Sequence, residues 1–141
     1  PALAYFSKET GTESDEYLVI LRRYMEAQAL CKEFDDALES VNHILKVAGK
    51  EQHSAGDYLF RAVIYTTKND LEKAKQDFIK TTEMNEAAEH FDEKAQVASW
   101  NTLAYIYKKE GNLKEALLNF EKLRAFFKNK KDVPEKVVQK L

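Results

Sequence analysis

Little in this chain favours turns or cross-links: 141 residues contain four glycines, two prolines and one cysteine. Few glycines and prolines argue against a sheet-and-turn architecture, whose hairpins need them. The single cysteine, Cys31, excludes an internal disulfide and a multi-cysteine metal site. It leaves the compartment open between cytoplasm, slightly favoured, and periplasm. The start at Pro1-Ala2-Leu3 carries no weight there. No run approaches the ~20 apolar residues of a membrane span. The formal net charge is −2, from 22 basic and 24 acidic residues. Long-range attraction to nucleic acid or anionic lipid is therefore not built into the whole chain.

Chemistry-bearing constellations are also lacking. His43, His53 and His90 lie in separate segments without the i, i+4 pairing or cysteine partners of a metal site, so no metal and no cofactor are expected. Glycine-rich phosphate loops are absent. Carboxylate pairs such as Asp35-Asp36 sit where helix starts want them, not where acid–base chemistry would need them. Cys31, beside Ala29, Leu30 and Phe34, reads as a small buried hydrophobe. The expectation is a protein that is not an enzyme. Between Lys122 and Lys140 there are seven basic and two acidic residues. That run is read as a solvated repeat end, with one of Phe126 and Phe127 packing beneath a final helix; nucleic acid is not the expected partner.

What the chain does have is internal repetition. Three segments align without gaps: Lys32-Glu33-Phe34-Asp35-Asp36-Ala37-Leu38, Asn69-Asp70-Leu71-Glu72-Lys73-Ala74-Lys75 and Gly111-Asn112-Leu113-Lys114-Glu115-Ala116-Leu117. Each places a polar or turn-like lead before an apolar residue, two polar residues and an alanine. One helical turn past each alanine stands Val41, Phe78 or Phe120 on the same face. Nine residues before it stand Gln28, Tyr65 and Tyr107; twelve before it, Met25, Ala62 and Ala104.

The physical reading is a helical hairpin used three times. One helix stops near Lys32, Asn69 or Gly111, the last two being residue types that tolerate the left-handed conformation. Asp35, Asp70 and Asn112 are the expected N-caps of the second helices. The alanine lets the two helices approach, and the larger residue fills the widening gap. These stops predict helices over about 15–31, 35–48, 54–68, 71–84, 88–109 and 113–128. The residues from Asn85 to Asp92 are expected to extend the helix that contains Trp100. A closing helix is expected from Asp132, whose spacing to Glu135 resembles a capping box.

These residues resemble the tetratricopeptide repeat, whose pattern over about 34 residues runs Trp, Leu, Gly or Ala, Tyr, then Ala, Phe, Ala and Pro. Trp100, Leu103, Ala104, Tyr107, Gly111, Ala116 and Phe120 fall at the family spacing. The middle repeat keeps Tyr58, Ala62, Tyr65, Ala74 and Phe78, with Arg61 in the leucine place. The first keeps Phe34 and Ala37, with Leu21 in the tryptophan place. The closing proline is missing throughout, and the anchor alanines lie 37 and 42 residues apart.

The resemblance implies an all-α, right-handed superhelical solenoid of antiparallel helix pairs with a C-terminal capping helix. One domain would span 1–141, with repeats at 18–54, 55–92 and 97–131, a partial repeat at 1–14 and a terminal helix at 132–141. It also implies a scaffold or adaptor whose concave face, lined by the first helix of each pair, binds a protein or peptide. The groove-facing places, fifteen, eleven and eight residues before each anchor alanine, hold Arg22, Glu26 and Ala29, then Leu59, Val63 and Thr66, then Asn101, Tyr105 and Lys108. Where the family's chaperone-tail clamp would stand are Arg22, Glu26, Phe60, Ala98 and Thr102, a set unsuited to carboxylates, so no chaperone tail is expected. The alternative is a regulatory or oligomerisation segment of a larger sensor, transcriptional regulator or enzyme, with self-association as one outcome.

Overall fold

The computed structural model describes residues 15–49, 53–89 and 91–129. Among them are six α-helices and no strand: α1 Asp15–Leu30, α2 Phe34–Val47, α3 Ala55–Thr67, α4 Leu71–Ala87, α5 Glu93–Lys109 and α6 Leu113–Lys128. They pack as the hairpins α1/α2, α3/α4 and α5/α6, with α2 against α3 and α4 against α5 joining them. First helices also meet directly, α3 against α5. The partial repeat at 1–14 and the closing helix from Asp132 lie outside the described residues.

The three hairpin turns share one geometry. Lys32, Asn69 and Gly111 have φ of 62°, 63° and 83°. The amide of the next residue donates back to the helix in each: Glu33 to Gln28 O at 2.9 Å, Asp70 to Tyr65 O at 2.8 Å, Asn112 to Tyr107 O at 2.9 Å. The left-handed residues themselves donate to Ala29, Thr66 and Lys108 carbonyls at 2.9, 3.0 and 3.0 Å. This pair of bonds is the Schellman termination, which satisfies carbonyls that the helix end would otherwise orphan. In the first hairpin a lysine occupies the left-handed position, where a Cβ is unfavourable.

The residue after the left-handed one also starts the next helix. Asp70 and Asn112 accept from the Lys73 and Glu115 amides at 3.4 and 3.3 Å. The first hairpin departs from expectation: Glu33, not Asp35, is the N-cap, and it makes no side-chain capping bond. The turn fixes the helix start one residue after Lys32, so Asp35 falls inside the first turn and pairs with Lys68.

The link between the second and third hairpins also differs from expectation. Residues 85–87 belong to α4, and α5 starts only at Glu93. Buried Asn85 closes the link: its Nδ2 donates to Asp92 O at 2.6 Å and Gln96 Oε1 at 3.0 Å, and its Oδ1 accepts from the Asp92 amide at 2.8 Å. Asp92 then caps α5 through the Ala95 amide at 3.0 Å. These bonds hold the chain non-helical between the two helices.

Two core clusters form the stack. Tyr17, Leu18, Leu21 and Met25 of α1 pack with Val41, Ile44 and Ala48, and Phe60 of α3 leans on them. Ala62, Ala74, Phe78, Leu103 and Ile106 form the second, spanning α3, α4 and α5. α3 therefore contributes to both clusters and ties the first hairpin to the rest. The anchor alanines Ala37, Ala74 and Ala116 are buried, as are Val41 and Phe78, while Phe120 is half-buried. Three places past each anchor, Ser40, Asp77 and Asn119 form a buried polar row. Each is bonded: Ser40 to Gln28 Oε1 at 2.6 Å, Asp77 to Arg61, and Asn119 to Glu115 O at 2.9 Å. Gln28, which bonds Ser40, stands where the other hairpins have Tyr65 and Tyr107. Cys31, expected to be buried, is exposed because it lies in the turn, past the last residue of α1.

Candidate functional site

The stripe residues of the first helices differ in burial. On α1, Glu26 is exposed and Ala29 half-buried. Arg22 lies on the same stripe, but Asp57 of α3 holds its guanidinium: Nε to Oδ1 is 2.9 Å and Nη2 to Oδ2 is 2.7 Å. The Asp57 side chain is 3% exposed and that of Arg22 28%. Asp57 also stands in the first turn of α3, where the helix dipole favours a carboxylate, behind the Ser54 cap. This pair raises the Arg22 pKa, chiefly through the Asp57 hydrogen bonds, with burial opposing.

On α3, Leu59 is half-buried against the second core cluster, whereas Val63 is 50% exposed. Thr66 and Thr67 turn their hydroxyls back onto Ala62 O and Val63 O, at 2.9 and 3.0 Å. On α5, Asn101 and Lys108 are exposed, and Tyr105 is 54% exposed. Lys109 sets its ammonium 5.9 Å from the centre of the Tyr105 ring, a cation–π distance. Val63 and Tyr105 hold the same place on adjacent first helices, each one residue past a fully buried alanine, Ala62 or Ala104.

On α3, Arg61 occupies the leucine place and explains its own presence. Its Nε and Nη2 bind Asp77 at 2.7 and 2.8 Å, and Nη1 donates to Asn42 at 2.9 Å. The guanidinium carbon lies 5.6 and 5.9 Å from the Tyr58 and Tyr65 ring centres. Hydrogen bonding to Asp77 raises its pKa against the effect of burial. One arginine thereby joins α2, α3 and α4.

A family profile for the tetratricopeptide repeat matches residues 58–88 and 97–123. Both stretches are tetratricopeptide repeats. The matched residues lie within the second and third hairpins, and the first shares their turn geometry. No curated protein and no solved structure gives a significant match. The repeat family is a non-catalytic scaffold that generally mediates protein–protein interaction.

Other features lie off the stripe. Phe126 centres an aromatic cluster, 6.1 Å from Trp100, 6.4 Å from Phe91 and 5.5 Å from Phe127. The final helix expected above Phe126 and Phe127 falls outside the described residues. His43 meets the Tyr17 hydroxyl at 2.8 Å and His53 meets Ala48 O at 3.1 Å. The described residues contain no cluster of His, Cys, Asp and Glu arranged for a metal, and no helix long and apolar enough to cross a membrane. The sequence reading missed the Asp57 and Asp77 partners. The one available signal was a polar residue at an otherwise core-facing place.

Proposed function

We propose that the chain is a protein-binding scaffold, not a catalyst, and that it takes an extended segment of a partner across α1, α3 and α5. Val63 and Tyr105 carry this reading: about half exposed, they stand at matching places on neighbouring helices whose adjacent alanines are buried. A row of such residues offers apolar area, while Asn101 supplies both a donor and an acceptor to an extended backbone. Tyr105 adds a flat ring with a polar tip. Glu26, Thr66 and Lys108 edge the row, with Arg22 and Leu59 supporting it from behind. A pull-down comparing the wild type with Asn101→Ala/Tyr105→Ala tests this. Partners lost from the variant support the face; partners retained equally by both remove it.

A regulatory or self-associating segment is the second reading, and exposed apolar residues on the first and last described helices favour it. Ile20 and Tyr24 of α1 are 39% and 43% exposed at places where α3 has Asp57 and Arg61. Leu113 and Leu117 of α6 are 65% and 59% exposed. Light scattering on Ile20→Glu and Leu117→Glu variants tests it; a mass equal to that of the monomer in wild type and variants alike refutes self-association.

A further inference from the structure

We infer that the partner segment is uncharged and apolar where it crosses α3 and acidic where it crosses the end of α5. This rests on the concave-face reading above and adds the charge pattern of the occupant. Several cations of the stack are already paired. Arg22 is neutralised by nearly buried Asp57, and Arg61 by Asp77. Lys68, Lys73 and Lys75 pair with Asp35, Asp70, and Glu72 together with Glu110. On α3 the stripe of Leu59, Val63 and Thr66 has no charge, and the threonine hydroxyls are spent on backbone carbonyls.

Lys108 and Lys109 are different. Both are exposed, and no carboxylate among the described residues pairs with either; Glu110 beside them is taken by Lys75 at 3.0 Å. Lysines in a last helical turn also offset the helix dipole. They do so here while exposed to solvent, so their charge still reaches a segment laid on the face. Lys109 lies over Tyr105, so the uncompensated charge adjoins the most exposed ring of the stripe. At the α1 end, exposed Arg23 stands three places before exposed Glu26, which leaves that end close to neutral. The field along the face therefore rises toward α5, and a segment bearing one or two Asp or Glu residues there complements it.

The test is a display library of random twelve-residue peptides, selected on the full chain at low and physiological salt. Enriched peptides are expected to carry Asp or Glu next to an aliphatic or aromatic residue, and to lose affinity as salt rises. Lys108→Gln/Lys109→Gln, which keeps helix propensity and removes the charge, should weaken them about fivefold to tenfold, two exposed pairs at a few-fold each. Lys108→Glu/Lys109→Glu should enrich Lys- and Arg-bearing peptides from the same library. Peptides that depend on Tyr105 but show no acidic bias overturn the charge pattern and leave the binding face standing. Peptides that bind Asn101→Ala/Tyr105→Ala as well as wild type overturn the face itself. A library that enriches nothing above bare support removes both.

Discussion

Replacing Arg22 by methionine should cost more stability than replacing Asp57 by asparagine, although each breaks the same ion pair. The two side chains are buried unequally, at 28% and 3% exposure. Without Arg22, the Asp57 carboxylate keeps its charge in a nearly dry place, with only the α3 dipole as a partner. Breaking a buried pair in this way costs about 3–5 kcal/mol, and the dipole returns up to about 1. The expected cost of Arg22→Met is therefore about 3 kcal/mol. Without the Asp57 charge, the Arg22 guanidinium is already near water and can turn out along its aliphatic stem. The substituted amide oxygen would still accept one hydrogen bond, so Asp57→Asn should cost about 1 kcal/mol. The double variant Arg22→Met/Asp57→Leu replaces the pair with apolar atoms and should recover most of the loss. Urea unfolding followed by circular dichroism measures all three. Equal costs, or a milder effect for Arg22→Met, would refute the assignment of Asp57 as the buried partner.

Further expectations follow from the turns, the link and the alkaline side chains. Lys32→Gly should stabilise by about 1 kcal/mol, seen as a higher Tm, because it relieves a left-handed lysine; Gly111→Ala should destabilise by a similar amount through backbone strain alone, since nothing lies within 4 Å of the added Cβ. Asn85→Leu should cost about 3 kcal/mol by orphaning the Asp92 amide and the Gln96 side-chain oxygen, and the Asp92 amide should lose hydrogen-exchange protection. The pKa of Lys75 is raised, first by its hydrogen bond to Glu110, and that of Tyr107 is raised by burial. Both groups hold their protons more tightly when folded, so their contribution is complete below the unfolded values and fades as pH rises above about 10. The Tm in alkali should fall less steeply in Tyr107→Phe than in wild type; identical profiles would dismiss the tyrosine part.

The sequence carried the hairpins because their signals are local. A left-handed residue, an oxygen-bearing residue after it and an alanine four or five places on lie within one short segment, so Asn69-Asp70 to Ala74 and Gly111-Asn112 to Ala116 announce a stop, a start and a close approach. The weaker first copy misled by two residues, because Glu33 and Asp35 are both acidic and only the Lys32 turn geometry decides which begins the helix. The second link misled for a related reason. Residues 85–92 are compatible with helix, and what stops them is the set of bonds from Asn85 to Asp92 and Gln96, which needs α4 and α5 already side by side.

The candidate face divides in the same way. Helical spacing alone puts Asn101, Tyr105 and Lys108 on one stripe, since that follows from about 3.6 residues per turn. Whether a charge on the stripe is available to a partner depends on groups far away in the chain. Arg22 is neutralised by a residue 35 positions later and Arg61 by one 16 positions later, while Lys108 and Lys109 meet no carboxylate among the described residues. Local periodicity determined the helices, their pairing and the stripe. Only the packing of one hairpin on the next decided which of its charges are spent inside the fold, because ion pairing is set by distance in space and not by distance along the chain.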